Sequence, residues 1–451
     1  MGKVVEHPVF QRLRSDVGKF NIKGKKLLIP DMAPFGARLF ASCLRAFDVD
    51  AIVMETYKGL ELGKEFTSGK ECFPCQVTLG DILYFLRKER ARLGSSFDPE
   101  KYVYFLPESD GPCRFGMYNK LQRLVLDRFP EFSGVRIAYL TTDDAYSTEG
   151  ILPPEDASTF RKLGYVATIV ADVFDRMTWR VRPYEHKEGI TDEFMQVALA
   201  AMQKLVEEKG RDLPFDEMLD LVADTAKTVA SFMDSHQPRR PRIGIVGEIY
   251  LRTHPASNQN LIREIEGFGG EVVDASVAEW INYVSYEGFR KLSRRLRQEW
   301  KKGNASNFFS VLRKWLGQTI EIAWQALQQK KVYDRVFPYL DIQPDHAVWT
   351  IERHLKRYGL FSFDIGTEAA LSIGGAIEYI REGFDGIVNV FPFTCMPSTI
   401  CSAILKPFLD SLRIPYLDVA YDGSIQPNRE VAIRTFMYQA QQHRLQRGNR
   451  R

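Results

Sequence analysis

Short runs of β-branched and aromatic residues alternate with longer stretches of helical periodicity along the chain, and this alternation constrains the fold more than any other feature. A strand that returns to its sheet through a helix lies parallel to its predecessor, so repeated units of this kind build parallel sheets with covering helices. Residues 25–30 (KKLLIP), 50–55 (DAIVME), 102–107 (YVYFLP) and 135–140 (VRIAYL) read as four strands of a first α/β domain over residues 1–150. From Pro153 to His236 strand signals nearly vanish, which predicts a helical segment over 151–238. The stretch 238–242 (PRRPR) reads as a linker, because clustered prolines cannot continue a helix. A second α/β domain, 239–451, opens with RIGIVGE at 242–248 and takes further strands from 271–275, 386–391 and 415–420. Its first helix carries Leu261, Ile262, Ile265 and Phe268 on one face, with Ser257 or Asn258 as cap and Gly269 and Gly270 as stop. A helical insertion occupies about 286–359.

Single hydrophobic cores stop growing near ~250 to 300 residues, so 451 residues with 45% apolar content require at least two. Sixty-one Lys and Arg against 58 Asp and Glu give a net charge of +3, too balanced for a nucleic-acid footprint. The basic stretches at 290–302 and 444–451 are expected as a solvated helix face and a frayed tail. The N-terminus lacks the apolar run of a secretory signal and no stretch matches a membrane span, so a cytoplasmic protein without membrane contact is expected. In that compartment the six cysteines do not form a disulfide framework, and metal or redox chemistry becomes the competing use.

Three cysteine-bearing segments map to strand ends or helix starts, where open parallel sheets bind their ligands. These are GKECFPCQ at 69–76, SDGPCRFG at 109–116 and FPFTCMP at 391–397. Each holds Gly or Pro around the thiol, and a nearby helix N-terminus is expected to lower the thiol pKa and favour the thiolate that iron needs. Cys75, Cys113 and Cys395 are the first-choice ligands, with Cys72 an undecided fourth thiol in a C-x2-C pair. Zinc would call for a second such pair or a His pair at similar spacing, and the chain has neither. Cys43 and Cys401 sit in helical patterns and read as core packing.

Glu71, Gln76, Arg114, Glu248 and Arg252 surround these segments as candidate supporting residues. Arg114, beside Cys113, suits a hydrogen bond to sulfur and a charge that tunes a metal site's potential, against the commoner structural role of a salt bridge to a neighbouring carboxylate; Glu248 and Arg252 suit a pair with each other or with a substrate. His254, before Pro255, reads as polar loop surface, with a proton donor as the alternative. The DIGT at 364–367 followed by IGG at 373–375 reads as a helix-opening turn rather than a nucleotide site, and no phosphate-binding glycine loop occurs elsewhere.

The cysteine segments, with GEIYLR at 247–252, EWINY at 279–283 and YDG at 421–423, resemble the 2-hydroxyacyl-CoA dehydratase superfamily over about residues 25–439, in particular its activase-associated and double-cubane members. The resemblance implies two Rossmann-like domains with helical insertions and a [4Fe–4S] or double-cubane iron–sulfur cluster. It places three ligands per subunit on Cys75, Cys113 and Cys395, with Cys72 an additional thiol. It further implies electrons from an ATP-dependent activase on a separate chain, an acyl-CoA or other small-molecule substrate, and a dimer. The alternative is a non-catalytic cluster-bearing partner or electron carrier of such a system.

Overall fold

The computed structural model describes residues 16–109, 111–142, 146–234, 236–303 and 305–448. All eight strands read from the sequence are present, as β2 (Lys26–Ile29), β3 (Asp50–Val53), β4 (Tyr102–Phe105), β5 (Arg136–Ala138), β6 (Arg242–Gly247), β7 (Glu271–Asp274), β8 (Gly386–Pro392) and β9 (Tyr416–Tyr421). A two-residue edge strand, β1 (Val17–Gly18), is added; so short a run gives no alternation to read. Every pairing is parallel, in the orders β1-β5-β4-β2-β3 and β7-β6-β8-β9. The chain is thus α/β, with two Rossmann-like parallel sheets and helical insertions.

The helices around the first sheet are α1 (Pro34–Arg45), α2 (Leu60–Glu65), α3 (Phe73–Leu93) and α4 (Tyr118–Leu126). Three follow between the sheets in sequence, α5 (Pro154–Val181), α6 (Ile190–Lys209) and α7 (Phe215–Ala230). Around the second sheet lie α8 (Ile249–Thr253), α9 (Leu261–Gly267), α10 (Val277–Lys302), α11 (Ala305–Val336), α12 (Val348–Tyr358), α13 (Ala369–Arg381), α14 (Met396–Ser411) and α15 (Arg429–Gly448). Each sheet is covered on both faces, as parallel sheets require. Leu27 and Val103 of the first sheet meet α1 and α5 in one apolar cluster, while Leu28 and Tyr104 meet α3 and α4 in another. The second sheet is enclosed in the same way, and one of its clusters takes in Leu60, Phe73 and Val77 from the first half.

Several local expectations change. α3 begins at Phe73, four residues before the expected Val77, because Pro74 suits the first helical turn. The cap of α9 is Asn260 in left-handed conformation, while Asn258 Oδ1 accepts from the Leu261 N–H at 3.2 Å. The basic tail is helical to Gly448, with Arg444 and Arg447 paired to the buried Asp385; residues 449–451 lie outside the described part. Residues 364–367 do form a helix-opening turn, in which Thr367 Oγ1 accepts from the Ala369 N–H at 3.0 Å. Gly374 is there for packing, since a Cβ would lie 2.1 Å from Ile351. No helix among the described residues is long and apolar enough to cross a membrane.

Candidate functional site

In each sheet the strand order reverses beside a central pair, β2 with β4 and β6 with β8, and the carboxyl ends of such pairs form the natural binding crevice. Cys113 follows β4, Cys395 follows β8, and Cys72 opens α3, which leads into β4. The Arg114 guanidinium joins all three segments. Its Nη2 donates to the Thr394 carbonyl at 2.7 Å, and its Nη1 donates to the Lys70 carbonyl and to Thr394 Oγ1. Arg114 therefore acts as a strap between the halves, a role that planar donors in fixed directions suit.

The Cys72 segment is also gripped by the second half. Gly423, with φ +83°, lies so close to Phe73 that a Cβ would come within 2.7 Å of its ring. This contact explains the glycine of the YDG motif.

The cysteines differ in local geometry. Cys72, Cys113 and Cys395 are each the N-cap residue of a helical element, α3, the short 3-10 turn Arg114–Met117 and α14. N-cap residues stand where backbone N–H groups lack intrahelical acceptors, so a sulfur anion there finds ready donors. Cys113 Sγ already accepts from the Phe115 N–H at 3.5 Å. Cys72 has φ +98° and Thr394, beside Cys395, φ +65°, left-handed conformations that strain residues bearing a Cβ and gather at functional sites. Cys75 instead sits inside the first turn of α3 and is fully buried, although Cys72, 6% exposed, shares its apolar cluster with Leu79, Ile82 and Tyr104.

The expected thiol acidity is reversed. Burial pushes Cys72 up to about 11 and Cys113 up to about 12, and it raises Cys75 and Cys395 as well. Desolvation outweighs the helix ends, so the thiols are protonated at neutral pH until a metal takes the proton's place. Carboxylates add to this: Glu368 and Glu248 raise Cys113 and Cys395 further. Cys43 and Cys401 are buried on α1 and α14 as core residues.

The supporting residues mostly serve the scaffold. Glu71 accepts from the Ser68 N–H at 2.9 Å, and Gln76 Nε2 donates to Thr67 Oγ1 at 2.9 Å. Glu248 does not pair with Arg252: its carboxylate caps α8 by accepting from Tyr250 and Leu251 N–H groups at 3.1 and 2.8 Å. Arg252 Nη1 reaches Asp274 Oδ1 at 3.2 Å and the Ala275 carbonyl at 3.1 Å. His254, expected on the surface, is buried against Tyr250, with Nδ1 2.6 Å from Ser257 Oγ; burial lowers its pKa to about 4 and keeps it neutral.

Sequence reasoning missed a group of buried acids beside the thiols. A narrow cleft of about 10 Å³, room for about one water, is lined by Gly247, Arg252, Ser276, Glu279, Trp280 and Glu368, among others. Burial raises Asp274 to about 6, Glu279 to about 7 and Glu368 to about 8, the last with help from Glu248. Oε1 of both Glu279 and Glu368 is buried without a hydrogen-bond partner in the chain. Glu279 lies in the EWINY stretch, but no sequence signal singles out Glu368.

Among the described residues, no three His, Cys, Asp or Glu side chains are gathered tightly enough to hold a metal ion as they stand. The donor chemistry nevertheless fits an iron–sulfur cluster: three thiols at helix N-caps, on segments strapped together across two sheet edges. No family model and no curated protein matches the sequence significantly.

Proposed function

We propose that the chain carries a low-potential iron–sulfur cluster between its two sheets and passes electrons from an ATP-dependent activase, on a separate chain, to a bound small molecule. The activase and the substrate class, acyl-CoA among them, rest on the resemblance to 2-hydroxyacyl-CoA dehydratases. The observation that carries the cluster itself is the Arg114 strap, which brings Lys70, Cys113 and Thr394 together and so unites three segments that each present an N-cap thiol.

In this reading the three N-cap thiols, Cys72, Cys113 and Cys395, are the ligands, and Cys75, inside the first turn of α3, is a core residue. When bound, the cluster would supply one-electron chemistry, with a potential set by charge, hydrogen bonds and burial. The chain's own contribution is to hold the three thiols, donate backbone hydrogen bonds to sulfur and keep water out. The acids at the cleft then serve to hold protons near the electron's destination.

Iron and sulfide analysis of anaerobically prepared protein, with an absorption spectrum, tests this reading. Brown protein with close to ~4 irons per cubane, as [4Fe–4S] ligation by thiolates demands, is the expected result. Colourless protein holding stoichiometric zinc overturns it. The ligand set is separated by two variants: Cys72→Ser should shed the iron and Cys75→Ser should retain most of it, and the reverse outcome would restore Cys75 to the set.

A further inference from the structure

The amino ends of the second sheet carry a cluster of arginines that the crevice at its carboxyl ends does not use. Arg176 and Arg180 come from α5, and Arg239 and Arg242 from the proline-containing stretch 238–242 that leads into β6. All four line one small cleft, together with Glu271 and Asp341. Its volume is about 10 Å³, room for about one water. Arg242 and Glu271 open β6 and β7, so the six residues of β6, roughly 17 Å of strand, separate this cleft from the thiol edge.

Three observations say what the cleft takes. The first is an excess of donors. Arg176 Nη1 donates to the Tyr333 hydroxyl at 2.8 Å and to the Gln343 carbonyl, and Arg239 divides its terminal nitrogens between Asp341 and Glu271 at 2.6 and 3.0 Å. Yet Arg176 Nε, Arg239 Nε and Arg180 Nη1 are buried without a hydrogen-bond acceptor among the described residues, the last facing only Glu271 Oε2 at 3.6 Å. Buried donors are rarely left so.

The second is an excess of charge. Asp345 pairs with Arg176 at 2.5 Å, and Asp341 and Glu271 are shared between Arg180 and Arg239. No carboxylate among the described residues pairs with Arg242, whose guanidinium lies over the Phe384 ring at 4.3 Å. The carboxylates that act on it from farther away are already taken, Glu271 by Arg239, Asp385 by Arg444 and Arg447, and Glu382 by His346. Burial and the repulsion of Arg239 accordingly lower the Arg242 pKa. Four guanidiniums meet three carboxylates, and one positive charge is left over.

The third is size. Space for one water excludes phosphate and carboxylate ligands. A water would bring no charge and would need acceptors for its own hydrogens. A monatomic anion accepts from every side and supplies the missing charge, and buried charges are normally paired.

We propose that this cleft binds a single halide ion, chloride by its size and charge, which neutralises Arg242 and ties the end of α5 to the start of the second sheet. The site is separate from the cluster, and its test does not depend on iron.

Crystals of the full chain soaked in sodium bromide test this, the anomalous scattering of bromine locating the ion. One peak among Arg176, Arg180, Arg239 and Arg242 is expected, and no peak there overturns the inference. Thermal unfolding is then read in chloride against gluconate, which is too large to enter, at a fixed ionic strength of about 0.15 M that holds general screening constant. Chloride should raise the midpoint along a saturating curve by about 2 °C or more, as a ligand of the folded state does. A bromide peak without that curve is an adventitious ion only and overturns the inference, as does a linear drift with concentration. Arg242→Gln, which removes the extra charge, should abolish both the peak and the chloride dependence, and a dependence that survives it overturns the assignment. Both wild-type measurements decide the matter whether or not the variant folds.

Discussion

The two sheet edges that meet at the Arg114 strap are built alike and furnished differently. The first half brings Cys72 and Cys113 to its edge, neutral and soft, on an apolar cluster that includes Leu28, Tyr104 and Tyr118. The second half brings one thiol, Cys395, but also Glu248, Arg252, Asp274, Glu279 and Glu368, all held in burial deep enough to raise every one of the acids. One edge is suited to hold a metal cluster, and the other to hold charge and protons. Because one guanidinium bridges them, a ligand between the halves would face both environments at once.

The contrast can be broken most completely through the thiols. Cys113→Ser and Cys395→Ser should each lose essentially all iron in anaerobic iron analysis, since the strapped segments act together, whereas Cys401→Ala should keep it. Equal retention in Cys113→Ser would mean that the two edges do not share a ligand.

On the charged edge the largest effect is expected from Arg252→Met. It removes the cation paired with the buried Asp274 and leaves only the more distant charge of Arg176, and loss of one partner of a buried pair costs about 3–5 kcal/mol in denaturant unfolding. A loss below about 1 kcal/mol, the level of an exposed pair, would show that the acids of this edge are held neutral.

A subtler difference lies in pH dependence. Glu279 and Glu368 titrate near 7 and 8 in the fold, above the ~4.3 of an unfolded glutamate. Between those limits the folded state binds more protons than the unfolded one, so their contribution to stability is fullest in acid and is lost as pH rises through about 7 to 8. Urea midpoints of the wild type should fall from pH 6 to pH 8, and Glu368→Gln should flatten the upper part of that fall. An unchanged slope in the variant would remove Glu368 as its source.

The smallest effect belongs to a thiol away from both edges. Cys43→Ala, fully buried on α1, should cost about 1 kcal/mol through a small cavity and leave iron content unchanged. A larger loss, or loss of iron, would mean that the core beneath the first edge and the edge itself are one cooperative unit.

What the sequence determined by itself is the architecture. Eight strands are legible because each is a short, mostly apolar run, and the central ones, β4 and β8, are buried at every residue, a local signal that a parallel sheet makes necessary. The cysteine segments were legible for the same reason: glycine and proline beside a thiol at a strand or helix end are local features. Tertiary structure decided the rest. Which of Cys72 and Cys75 stands at the N-cap follows from where α3 begins, and Phe73, the first residue of that helix, packs against Gly423, some 350 residues away in sequence. His254 reads as loop surface until Tyr250 covers it, and the thiols read as acidic until burial raises them. Burial, and with it the protonation of every group at this site, is a property of distant segments brought together, and no stretch of the chain carries that information alone.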